Sequence, residues 1–152
     1  MSPVVTINKI TRPEHLVEYM HQKISGNPLL GFKYIAKYND DLLPKYPACL
    51  ILAGPYTKEI HGLHTFAVMI RAEIFIFHGV LTQDKSTRSY EDLNLATNLV
   101  AFLESDMKLG DRVINGYVES ETPGVSPPRS NRSEAVISTR ILYQAVQETR
   151  FK

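Results

Sequence analysis

The stretch HTFAVMIRAEIFIFH, residues 64–78, constrains the fold of this chain more than any other. Successive side chains of a strand point to opposite faces, so the stretch divides into two sets. The even positions are His64, Phe66, Val68, Ile70, Ala72, Ile74, Ile76 and His78, which are apolar throughout between the two histidines. That face has to be core. The odd positions are Thr65, Ala67, Met69, Arg71, Glu73, Phe75 and Phe77. Two phenylalanines beside a charged pair match neither a solvated face nor a core, and such mixed aromatic surfaces mark contact sites. A helix of the same chain could cover them equally well.

The last long apolar stretch, EAVISTRILYQAVQE, sorts the same way. Ala135, Ile137, Thr139, Ile141, Tyr143 and Ala145 share one side; Glu134, Val136, Ser138, Arg140, Leu142, Gln144, Val146 and Glu148 share the other. Two long strands with a mixed second face suggest a sheet that meets neighbours, and symmetric homo-oligomers are the usual result.

The remaining elements follow from periodicity and punctuation. In TRPEHLVEYMHQKISGNP, Thr11 and Glu14 have capping-box spacing and Pro13 suits a first helical turn. Leu16, Val17, Met20 and Ile24 fall on one face, and Gly26 and Pro28 end this short helix. GFKYIAKYN alternates like a half-exposed strand, and YPACLILAGP reads as a buried strand bounded by Pro47 and by Gly54 and Pro55. Beyond Ser86 the period becomes helical: Leu93, Ala96, Val100, Leu103 and Met107 recur at spacings of three and four, with Leu99 and Phe102 widening the stripe. Ser89 is placed to cap this helix and Lys108 with Gly110 to finish it, after about five turns. DRVINGYVES and the 134–148 stretch then form two closing strands. Between them ETPGVSPPRSNRS is too long and too rich in proline and serine for a tight hairpin turn. Loops of this kind are either functional or disordered until they bind.

The expected architecture is a single α+β domain over residues 1–152, with one mostly antiparallel sheet, a short N-terminal helix, one long helix packed on a face, and an extended hairpin loop at about 121–133. A chain of 152 residues, 43% hydrophobic and 22% charged, can bury such a core without disulfides or a structural metal. Its one cysteine, Cys49, lies in an apolar run and reads as a small core residue. The N-terminal sequence lacks a basic segment followed by an apolar one, so synthesis in a cytoplasm is expected, and the sequon at Asn131 is a chance match.

The chemistry-bearing residues do not converge. His64 and His78 would be roughly 45 Å apart on one strand and cannot share an ion. His61 and His64 are spaced three apart, which on a strand sends them to opposite faces. Glu18 and His21 have the Glu-x-x-His spacing of di-iron bundles, but the second helix offers no matching histidine after Glu91 or Glu104. There is no G-x-S-x-G elbow, P-loop or G-x-G-x-x-G motif. The acidic pairs Asp40-Asp41 and Glu91-Asp92 fall in a loop and in a helix's first turn, neither of which recommends paired-carboxylate catalysis. GFKYIAKY interleaves lysines with aromatics, but a net charge of +1 favours an amphipathic strand over a nucleic-acid patch. The expectation is therefore a protein that is not an enzyme and has no catalytic, cofactor or metal residues.

The layout as a whole resembles the tail terminator, or tail-to-head joining, proteins of long-tailed bacteriophages. The resemblance covers about residues 10–148 and is carried by the N-terminal helix, the strand FAVMIRAEIFIF, the helix LNLATNLVAFLESDMKLGDRV, the segment INGYVESETPGV and the final strand AVISTRILYQAVQE. It implies an α+β subunit of a ring, hexameric in this family, that caps the finished tail tube. Such a ring presents a surface to the head-completion or connector protein, and DNA passes through it without sequence-specific binding. It also implies a place in the virion, at the head-proximal end of the tail, with no membrane partner. The family carries no catalytic residues. The matching contact places on this chain are Arg71, Glu73, Phe75 and Phe77 on the mixed strand face, and Pro127, Pro128, Arg129 and Arg132 in the 122–133 loop. The alternatives are another neck or head-tail connector protein, or a small α+β enzyme or ligand-binding module whose odd-face aromatics line a pocket. A nucleic-acid-binding module stands third.

Overall fold

The computed structural model describes residues 9–38, 45–60, 62–80, 85–126 and 136–150. Its elements are α1 (Pro13–Ser25), a 3-10 turn (Pro28–Leu30), β1 (Tyr34–Lys37), β2 (Ala48–Ile60), β3 (Thr65–Val80), α2 (Lys85–Glu104), β4 (Asn115–Ser126) and β5 (Val136–Arg150). The strands form one sheet in the order β1-β2-β3-β5-β4, and with the two helices this makes an α+β fold.

The sheet is mixed, which corrects the expectation of a mostly antiparallel one. β1 runs parallel to β2, with Tyr34 opposite Ala48 and Lys37 opposite Ile51. Tyr38 adopts a left-handed φ of 63° and donates its N–H to the Ile51 carbonyl at 2.7 Å, which ends β1. The other pairings, β2 with β3, β3 with β5 and β4 with β5, are antiparallel.

Both helices pack on the even face of β3. Val68, Ile70, Ala72, Ile74 and Ile76 are fully buried there, beside Cys49 and Ile51 of β2 and Ile141, Tyr143 and Ala145 of β5. α1 contributes Leu16, Val17, Met20 and Ile24, as its spacing predicts, and α2 contributes Ala96, Leu99 and Leu103. Burying a side chain of this size contributes about 1.5–3 kcal/mol, so this face is the main source of stability.

Several boundaries differ from expectation, each for a local reason. The capping box at Thr11 and Glu14 does not form: Arg12 is the N-cap residue, and Glu14 turns to its guanidinium at 2.7 Å. Met107 lies outside α2 and is 48% exposed, because Leu109, Gly110 and Asp111 take left-handed φ values of 49°, 64° and 64° in the turn that follows. Arg112 closes that turn by donating from Nη1 to the carbonyls of Leu109 and Gly110, both at 3.2 Å, while its guanidinium lies 4.9 Å from the Tyr19 ring centre. Ser89 lies inside α2 and is not its cap.

Gly54 and Pro55 do not end β2. They sit at a register shift between Ala53 and Tyr56, beyond the last β1 pairing, where β2 has become an edge and a proline's missing N–H is tolerated. Pro123 stands opposite Thr139 within edge strand β4 for the same reason. Residues 121–126 therefore belong to β4, and the rest of the expected loop at 121–133 lies outside the described residues. His78 is buried within β3, and His64 is exposed just before it.

Candidate interaction surface

The second face of the sheet carries the odd residues of β3, and among the described residues neither helix lies on it. Strand alternation brings Tyr34 and Ala36 of β1 and Ala48, Leu50 and Leu52 of β2 to that side, where they meet Phe75 and Phe77. Phe75 and Phe77 stack with ring centres 6.2 Å apart and 18° between planes. Phe77 is only 2% exposed and belongs to this smaller core, whereas Phe75 is half-buried.

Arg71 and Glu73 do not pair with each other. Arg71 Nε meets Glu119 of β4 at 3.1 Å, and its Nη1 lies 3.4 Å from the Thr57 hydroxyl of β2. Glu73 is held by Arg140 of β5, Nη2 to Oε1 at 3.2 Å and Nε to Oε2 at 3.4 Å. Two backbone irregularities make the first contact possible. A register shift between Val118 and Ser120 leaves Glu119 unmatched in the ladder, free to turn toward Arg71. On the other side Gly54 comes so close that a Cβ there would stand 2.9 Å from the Arg71 Cβ and 3.0 Å from its carbonyl carbon and oxygen.

Between the two ion pairs Gln144, opposite Arg71, donates to the Tyr117 hydroxyl at 2.9 Å. Gln144 is 7% exposed, and its Oε1 is enclosed without a hydrogen-bond partner among the described residues. Met69, Leu142 and Val146 are half-buried on the same face. The centre of this face is thus a patch in which each guanidinium already has its carboxylate, framed by apolar side chains that retain part of their exposure.

Reading β3 alone identified Arg71, Glu73, Phe75 and Phe77 as one face, and the sheet places them so. It did not reveal Glu119, Thr57 or Tyr117 as partners, because these arrive from other strands. Arg140, Leu142 and Gln144 were recognisable from the alternation of β5. Pro127, Pro128, Arg129 and Arg132 lie outside the described residues.

Glu18 and His21, which share the Glu-x-x-His spacing, are engaged within the subunit. Glu18 pairs with Lys37 of β1, and this bond keeps its carboxyl below the ordinary range; His21 Nε2 lies 3.4 Å from the Ile35 carbonyl oxygen. Full burial pushes the Cys49 thiol up to about 12, so no nucleophilic thiolate forms there near neutral pH. Among the described residues no cluster of three or more His, Cys, Asp or Glu could hold a metal ion, and no helix is long and apolar enough to cross a membrane. No protein-family model matches the chain, and no curated protein matches it in sequence.

Proposed function

We propose that this chain is a structural subunit of a phage virion, a tail terminator that assembles into a ring, caps the tail tube and joins it to the head-completion complex. The observation that carries the reading is the second sheet face. At its centre Arg71 and Glu73 are neutralised inside the subunit by Glu119 and Arg140, so another protein can cover that patch without leaving either charge unpaired. Its half-exposed apolar residues are what such contact would remove from water. The resemblance in layout supplies the identity of the partners: neighbouring subunits, the tube protein and a connector. In this reading α2 is the one long helix packed on the sheet, and the helix-bearing face is left to stabilise the subunit.

Purified protein mixed with tail tubes and imaged in negative stain tests the reading. Rings, or tubes capped at one end, support it. Binding to a head-side connector but not to tubes assigns the chain to another layer of the neck. A monomer at all concentrations that ignores both overturns it.

A further inference from the structure

The two lateral edges of the sheet carry opposite charge in one register. Lys37 is opposite Ile51, Ile51 opposite Ile74, Ile74 opposite Ile141, and Ile141 opposite Glu121. Lys37 and Glu121 therefore end a single row that crosses the whole sheet, on the face that bears the helices. Lys33 is exposed near the β1 end, Glu121 is exposed at the β4 end, and neither makes an ion pair among the described residues. Lys37 is engaged by Glu18, yet its side chain stays 35% exposed.

Strand direction adds a second condition. β1 and β2 are parallel and the next pairings are all antiparallel, so β4 runs opposite to β1. A copy placed beside another in the same orientation, without axial shift, sets β4 against the neighbour's β1 as an antiparallel pair. Lys37 then faces Glu121, and Ala36 faces Thr122. The Tyr38 N–H points to β2, so the alternation of a strand turns the backbone groups of Lys37 outward, where such a pairing needs them. The segment available on β4 is short. The bulge at Glu119 limits it on one side and Pro123 removes a donor on the other, which suits a partner strand of only four residues.

We propose that copies of this chain join head to tail through these edges, with β4 of one pairing with β1 of the next and Glu121 meeting the neighbour's Lys37. Each copy uses both edges once, the heterologous arrangement that closes into a ring when the rotation per copy divides a full turn. This contact rests on the ring reading above and specifies its lateral joint, while the second face remains available for other partners.

Cysteine pairing tests it. Lys37 and Glu121 of one copy are four strand spacings apart, roughly 19 Å, far beyond disulfide reach. A disulfide between Lys37→Cys and Glu121→Cys can only join two copies. Mixing the two single variants under mild oxidation is expected to give a covalent dimer that neither gives alone, and the double variant a covalent ladder. As a second measurement, Glu121→Lys should raise the assembly midpoint in sedimentation about tenfold or more by placing like charges together, and adding Lys37→Glu with Glu18→Lys, which keeps the internal pair, should restore it. Rings that form while the mixed variants stay uncrosslinked, or that tolerate Glu121→Lys, overturn the edge contact and leave the ring. A chain that remains monomeric overturns both.

Discussion

Arg140 grips Glu73 with two nitrogens, Nη2 to Oε1 at 3.2 Å and Nε to Oε2 at 3.4 Å, across the β3–β5 ladder. Glu73 is 25% and Arg140 41% exposed, so the pair is screened by solvent and contributes at most about 1 kcal/mol. Glu73→Gln is therefore expected to lower the urea midpoint only slightly. Glu73→Arg places three guanidinium groups on one face and should cost more, and adding Arg140→Glu should recover most of that loss. If the double reversal is no more stable than the single, Arg140 is not the partner that fixes Glu73. On the assembly side, Glu73→Gln should weaken binding to the partner of this face while leaving the subunit folded, and unchanged assembly would remove Glu73 from that contact.

Gly54 leads to a prediction about the bulge beside Arg71. A methyl group there would meet the Arg71 Cβ and backbone, atoms that cannot swing aside. Gly54→Ala is expected to destabilise the subunit by about 1–3 kcal/mol, the range for forcing extra volume into a packed site. Equilibrium unfolding in urea measures this. A loss under about 0.5 kcal/mol, the ordinary range for a surface change, would mean that β2 can shift its register at no cost.

What could be read from the sequence divides along the range of the interaction. The even face of β3 was legible because every residue between its histidines is apolar, and period-2 alternation needs no knowledge of other strands. The mixed face of β5 was legible for the same reason. The bulges were not, since Gly54, Pro55 and Pro123 look like strand terminators, and only their position on an edge lets a strand run through them. The partnership of Arg71 with Glu119 spans 48 residues and depends on a register shift in another strand, so no local pattern announces it. The parallel pairing of β1 was missed because a short connection suggests a hairpin. At Thr11 the capping box lost to Arg12, a nearer partner for Glu14.

The pairing of Glu18 with Lys37 makes stability depend on acid pH. The Lys37 hydrogen bond lowers the Glu18 carboxyl, against burial, which raises it. A carboxyl that is more acidic folded than unfolded stabilises the fold fully above its unfolded value of about 4.3, and that contribution is lost as pH falls through the folded value. Glu18→Gln should therefore be less stable than the parent by up to about 1 kcal/mol near neutral pH, with the gap closing below about pH 4. Denaturation midpoints across that range check it. A gap that persists unchanged at about pH 2.5 would assign the loss to packing and not to charge.

Tyr143 and Gly116 form a coupled pair at the opposite end of the polarity scale. The Tyr143 side chain is fully buried, and its hydroxyl has no hydrogen-bond partner among the described residues. An enclosed hydroxyl without a partner costs about 1–3 kcal/mol relative to one that is satisfied. Tyr143→Phe removes it while keeping the ring, so the variant is expected to be as stable as the parent or more stable by about 1 kcal/mol. Gly116 packs directly against this hydroxyl, which a Cβ at position 116 would overlap, with the ring carbon Cζ 2.9 Å away. Gly116→Ala alone should be destabilising, and part of its cost should disappear in the Tyr143→Phe background because one of the two clashing atoms is gone. A double-mutant cycle in urea reads the coupling directly. If the two effects simply add, the hydroxyl does not set the limit on residue 116; if Tyr143→Phe is itself destabilising by more than about 1 kcal/mol, the hydroxyl has a hydrogen-bond partner after all, a buried water being the nearest candidate.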